Sequence, residues 1–122
     1  MIPKIPASRE VYMTFRTSFH FAIKPEWEKA VREGRKTIDV RVNSEKYADV
    51  KKGDSIHYSA TEVKVKGIRG YPGLQDLIHH EHYRKVAPEA KSADEALHAL
   101  RAVGLHDEPP HGVLAIEVEF VK

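Results

Sequence analysis

The stretch from Gly112 to Val121 constrains the fold most. Val113, Ala115, Glu117, Glu119 and Val121 alternate there with Leu114, Ile116, Val118 and Phe120. Successive strand side chains point to opposite faces, so this period of two predicts a strand whose wholly apolar second set faces a core. A second alternation runs from Thr61 to Arg69 and sets Val63, Val65 and Gly67 against Lys64, Lys66 and Ile68. Shorter strands are predicted over Ser18–Ile23, Lys36–Val42 and Ser55–Ser59, with Lys51-Lys52-Gly53-Asp54 as a turn and 43–49 as a polar loop.

Helical spacing separates these strands. Pro25 to Glu33 carries Trp27, Ala30 and Val31 on one stripe, with Pro at the first position and Gly34 where a left-handed C-cap belongs. Leu74 to Tyr83 repeats the pattern through Leu74, Leu77 and Ile78. Ser92-Ala93-Asp94-Glu95 is a capping box that starts a helix buried through Ala96, Leu97, Leu100 and Val103 and stopped by Gly104. A strand, a helix, three strands, two helices and a strand predict an α+β fold: a small curled sheet or barrel covered by a few helices. With 122 residues and 41% hydrophobic content, the chain has one domain and one modest core. Residues 1–17, with Pro3 and Pro6 ahead of Val11-Tyr12-Met13-Thr14-Phe15, read as an N-terminal extension with one short element; the domain spans 18–122.

Composition excludes several classes. The chain has no cysteine, so disulfide frameworks and thiolate metal sites are ruled out. No apolar run approaches a membrane span and no signal-peptide core is present, so no membrane partner and a cytoplasmic location are expected. A net charge of +2 is too small to argue nucleic-acid binding globally. The cations cluster, however, from Lys24 to Lys52 and again at Lys64, Lys66 and Arg69, which predicts a basic face.

The densest cluster is the octet Gly34-Arg35-Lys36-Thr37-Ile38-Asp39-Val40-Arg41. On a regular strand Thr37, Asp39 and Arg41 share one face and Lys36 takes the other. Asp39 and Arg41 either converge on a ligand, with Arg41 forked onto phosphate or a base edge and Asp39 accepting from a base amine, or simply pair with each other. A cleft using Lys36 together with that pair requires a bulge or an edge position after Gly34.

Ile23-Lys24-Pro25-Glu26-Trp27, the helix, and then Gly34-x-Lys36-x-x-Asp39-x-Arg41 resemble the signature of ASCH domains, small barrels of the PUA-like superfamily. Asn43–Lys46 leading to Lys52-Gly53-Asp54, the strand from Val63 to Tyr71, Leu77–Glu81, Val86-Ala87-Pro88 and Gly112–Glu117 continue the resemblance, which spans Phe19 to Phe120. It implies a PUA-like β-barrel of about five or six strands with helices over its openings. It further implies RNA or a nucleotide as partner, with ribonuclease or RNA-modifying activity in some members; for a ribonuclease it implies a divalent metal, manganese or magnesium, although the sequence offers no ligand set for one. A related bacterial branch hydrolyses N-acetylated cytidine with a Lys, a Thr and a Glu. Those roles carry over to Lys36, to the position of Asp39 and, by a loose alignment, to Glu81, which makes an amidohydrolase the alternative function. The chain departs from the family pattern at Asp39, where Glu is usual, and at His111, where relatives often carry Tyr.

The expected catalytic residues are therefore Lys36, Asp39 and Glu81, with Glu81 facing Lys36 so that each tunes the other. The expected nucleic-acid contacts are Lys24, Lys36, Arg41, Lys46, Tyr47 and Arg69. Lys24 precedes a helix N-terminus, which favours anions. Lys46 and Tyr47 follow the octet and suit a phosphate and a base. Trp27 reads as core before it reads as a stacking platform. His79-His80-Glu81-His82 lacks the spacing of helical zinc motifs and reads as a polar helix end.

Overall fold

The computed structural model describes residues 17–122. The strands are β1 (Ser18–His20), β2 (Ile38–Val42), β3 (Ser55–Tyr58), β4 (Thr61–Tyr71) and β5 (Val113–Phe120). The helices are α1 (Pro25–Arg32), α2 (Glu45–Ala48), α3 (Leu74–His80), α4 (Tyr83–Val86) and α5 (Ala93–Ala102). The sheet order is β1-β3-β4-β5-β2, parallel between β1 and β3 and antiparallel elsewhere. The five strands curl into a half-barrel with helices packed against it, the expected α+β barrel architecture. The extension predicted over residues 1–17, with its short element at Val11–Phe15, lies outside the described residues up to residue 16.

Strand β5 sits between β4 and β2 and is buried on both faces. Leu114, Ile116 and Val118 join Phe21, Ile56, Tyr58, Val63 and Val65 inside the half-barrel. Val113 and Ala115 pack with Ile38, Val40, Leu77, Leu97 and Leu100 beneath the helices. Alternation alone assigned only the first group to a core. Helices α3 and α5 bury the second, because a sheet covered on both sides has no water-facing set until Glu117 and Glu119.

Strand β4 also departs from simple alternation. Its register on β5 shifts between Val65 and Gly67. That bulge turns Ile68 to the inner face with Val63 and Val65, and leaves Arg69, opposite Ala115, on the helix side. Strand β2 begins at Ile38 rather than Lys36, because the N–H groups of Arg35 and Lys36 still donate to Ala30 at 2.9 and 3.2 Å. Gly34 supplies the left-handed turn after α1, at φ +77°.

Four boundaries differ from the sequence reading. Strand β1 stops at His20, so Ala22 and Ile23 are free to wall a cleft. Residues 43–49 contain the single turn α2. The helix expected over Leu74–Tyr83 breaks at Glu81, which turns extended (ψ 139°) while its carboxylate pairs with Arg69. Val103 is 46% exposed; it caps α5 and does not extend its buried stripe.

Candidate functional site: the seam of the half-barrel

Strands β1 and β2 are the two edges of the sheet, and its curl brings them towards each other. Arg41 bridges the seam: its Nη2 donates to the Ala22 carbonyl at 2.7 Å. Between the two edges lies a cleft of about 410 Å³, walled by Ala22–Lys24, Trp27, Asp39–Val42, Tyr47 and the apolar turn Val103–Leu105.

Asp39 forms the polar base of this seam. Arg41 donates to it twice, from Nε at 2.8 Å and Nη2 at 3.1 Å, and the Tyr58 hydroxyl donates to Oδ2 at 2.7 Å. Asp39 is 4% exposed and Tyr58 fully buried, so this is an interior network. Burial opposes the charge of Arg41, but the Asp39 carboxylate outweighs it and holds the guanidinium above its ordinary range. Burial, reinforced by Asp39, pushes the Tyr58 hydroxyl well above its ordinary value. Phe21 and Tyr47 flank the guanidinium, with ring centroids 5.1 and 5.4 Å from Cζ. The pairing reading of Asp39 and Arg41 is therefore realised, and three donated bonds leave the carboxylate little capacity to accept from a base.

Lys36 lies on the opposite, helix-covered side, as alternation required, and is 1% exposed. Its ammonium donates to the carbonyl of Ile38 at 2.7 Å and to that of Val86 at the end of α4. It also stands 4.3 Å from the centroid of Trp27. Burial pulls its pKa from 10.5 down to about 8, partly opposed by Asp39. Lys36 is thus buried against the indole and does not line the cleft.

Glu81 belongs to a third location. Arg69 forks onto it at 2.6 and 3.0 Å, Tyr71 donates its hydroxyl, and Arg69 also reaches Glu117 at 3.0 Å. The bond from Arg69 holds the Glu81 carboxyl below its ordinary value against the opposing effect of burial. Glu81 therefore answers to Arg69 and Tyr71, with no hydrogen bond or ion pair to Lys36 among the described residues. Asp39, Glu81 and Glu117 are each engaged by arginine, and among the described residues no three His, Asp or Glu side chains are grouped to hold a metal ion.

Of the expected nucleic-acid contacts, Lys24, Arg41 and Tyr47 line the cleft. Lys46 is exposed beside it, its ammonium 5.3 Å from the Tyr47 ring. Lys36 is enclosed, and Arg69 sits with Glu81. The helix terminus at Lys24 offers an ammonium more than backbone donors: Pro25 has no N–H, and Trp27 and Glu28 already donate to the Lys24 carbonyl. Sequence reasoning missed Glu89, whose two oxygens accept the Trp27 indole N–H at 3.0 and 3.1 Å. No local pattern marks it, since the contact spans 62 positions. Tyr58 was legible only as a position on a short strand, and Trp27 serves both the core and the cleft wall.

A curled sheet with an open, aromatic-lined seam, an Asp–Arg pair on one face of its edge strand and a buried Lys on the other defines a small half-barrel domain of the α+β class. The model of the ASCH domain matches residues 21–122, and the chain belongs to that family. It is similar to the hypothetical protein PH0355, whose crystal structure superposes with a TM-score of 0.79 at 31% identity, over 86% of this chain and 100% of that one. It is also similar to protein PF0455 from Pyrococcus furiosus, solved by solution NMR, with a TM-score of 0.73 at 28% identity over 87% of this chain and 99% of that one. No curated protein matches the chain.

Proposed function

We propose that the chain binds single-stranded RNA and takes one unpaired base into the seam between β1 and β2. The observation that carries this reading is the cleft itself. A volume of about 410 Å³ suits a nucleobase, and Trp27, Tyr47 and Leu105 supply the apolar wall. Lys24 at the wall and Lys46 beside it would meet the flanking phosphates, which supports the reading. A duplex buries its base faces, so only an unpaired base has a face to offer.

The arrangement favours binding over cleavage or deacylation. Lys36, Asp39 and Glu81, the groups such chemistry would need together, each serve a different structural partner. Asp39 in place of the usual Glu fits this, since a shorter carboxylate closes tightly on Arg41 within one strand face.

Fluorescence anisotropy with labelled single-stranded RNA tests the reading. Affinity should fall linearly with salt on logarithmic axes, by about 0.7 per phosphate engaged. Lys24→Ala and Tyr47→Ala should each weaken binding about tenfold, roughly the loss of one charge contact or one stack. Unchanged affinity in both would remove the cleft as the site. In parallel, chromatography of RNA and of acylated cytidines should show no turnover; turnover abolished by Lys36→Ala would replace binding with catalysis.

A further inference from the structure

We propose that Lys24 is a displaceable cover on the Trp27 indole, so that the cleft admits a base together with its neighbouring phosphate and largely refuses the bare nucleoside. The proposal rests on the cleft being the RNA site.

Two ammonium groups stand 4.3 Å from the Trp27 ring centroid, those of Lys24 and Lys36. They differ in freedom. Lys36 is enclosed and tied to the Ile38 and Val86 carbonyls, so it cannot leave the ring. Lys24 lines the cleft, its side chain is 34% exposed, and its one ion pair among the described residues is with Glu89 at 3.8 Å. A half-exposed pair at that distance holds weakly. The indole is itself fixed, because Glu89 accepts its N–H with both oxygens. What can move is therefore Lys24, while the ring beneath it stays in place.

Trp27 lines the cleft yet is only 7% exposed, so a base entering the cleft meets the Lys24 ammonium at the ring on which it must stack. A nucleoside brings nothing to draw that ammonium away. A phosphate does, since a charge-assisted bond to phosphate is stronger than contact with a ring face or an exposed pair. Once Lys24 turns to the phosphate, the indole face is clear for the base. Phosphate recognition and base stacking are thereby coupled through one side chain.

Trp27 is the only tryptophan in the chain, so its emission reports directly on the ring in question. The probes are uridine, uridine monophosphate and a labelled short oligouridylate. In the wild-type chain, the monophosphate should quench Trp27 with a dissociation constant at least about tenfold below that of uridine. In Lys24→Ala the gap should shrink to about threefold or less, because uridine binds more tightly once the cover is gone. Lys24→Arg, which keeps a cation on the ring, should restore the gap. Coulomb attraction without a cover would instead weaken the monophosphate in Lys24→Ala and leave uridine unchanged, which would overturn the proposal. Oligouridylate binding by anisotropy with equal quenching by both small probes would also overturn it while leaving the RNA reading intact. Absence of oligouridylate binding would remove both.

Discussion

Replacing Lys36 with Met should abolish a rise in stability on the alkaline side of neutrality. Lys36 is 1% exposed, and burial lowers its pKa from 10.5 to about 8. Between those values the unfolded chain keeps the proton and the folded chain has released it. Unfolding then takes up a proton, so stability grows as pH rises. At about 1.36 kcal/mol per pH unit, the full gap corresponds to roughly 3 kcal/mol, of which about 2 is gained by pH ~9.5. The same roughly 3 kcal/mol is the penalty the charged ammonium imposes at neutral pH. Methionine removes that penalty but strands the Ile38 and Val86 carbonyls, at about 1–3 kcal/mol each. The variant should therefore lie within about 3 kcal/mol of wild type at neutral pH, where the terms oppose. Urea unfolding of both proteins at steps from neutral to pH ~9.5 measures the difference directly, and groups common to both cancel. Wild type should gain about 2 kcal/mol on the variant across that range. Parallel curves would refute the argument that Lys36 folds as a desolvated, readily released cation.

The remaining predictions concern the other networks. Asp39→Asn leaves the Arg41 guanidinium buried without its counter-charge and should cost about 3–5 kcal/mol, read as a lower thermal midpoint. Tyr58 keeps its proton in the fold after the unfolded chain begins to lose its own near pH 10, so stability falls above that pH; Tyr58→Phe should remove this fall in alkaline unfolding curves. Glu81 is held below its ordinary value, chiefly by Arg69, so it adds stability above the carboxylate range that is lost as pH falls through its folded value; Arg69→Met should flatten that acid limb in urea titrations. Gly112→Ala should cost about 2 kcal/mol or more, because φ is +80° and a Cβ would collide with the Tyr71 carbonyl. At Gly34 the space is open, so Gly34→Ala should cost only about 1 kcal/mol, the left-handed backbone alone, in the same denaturant assay.

Much of the fold was legible because it rests on local periods and caps. The Gly112–Val121 alternation, the Pro25 and Gly34 boundaries and the Ser92 cap each depend on neighbours within a few residues. The Ser92 hydroxyl does accept the Glu95 N–H at 3.1 Å, although the Glu95 carboxylate returns to Lys91. What escaped were features set by a distant partner. The β4 bulge exists only against β5, and the break at Glu81 accompanies its pairing with Arg69, twelve positions earlier. The exposure of Val103 follows from its position at the end of α5, facing the cleft. In the site, alternation separated Lys36 from Asp39 and Arg41, but it carried no information on what either side would face.

By itself the sequence determined which side chains share a face and where helices start and stop, because backbone sterics act over a few residues. It also carried the family signature, with Asp39 and Arg41 two apart on one strand. The curl of the sheet was left to the tertiary structure. That curl opposes β1 to β2, opens a cleft at their seam, and buries the Asp39–Arg41 pair against Tyr58. Those are contacts between segments far apart in the chain. They depend on how two sheet edges and the three strands between them pack, and no local pattern encodes that packing.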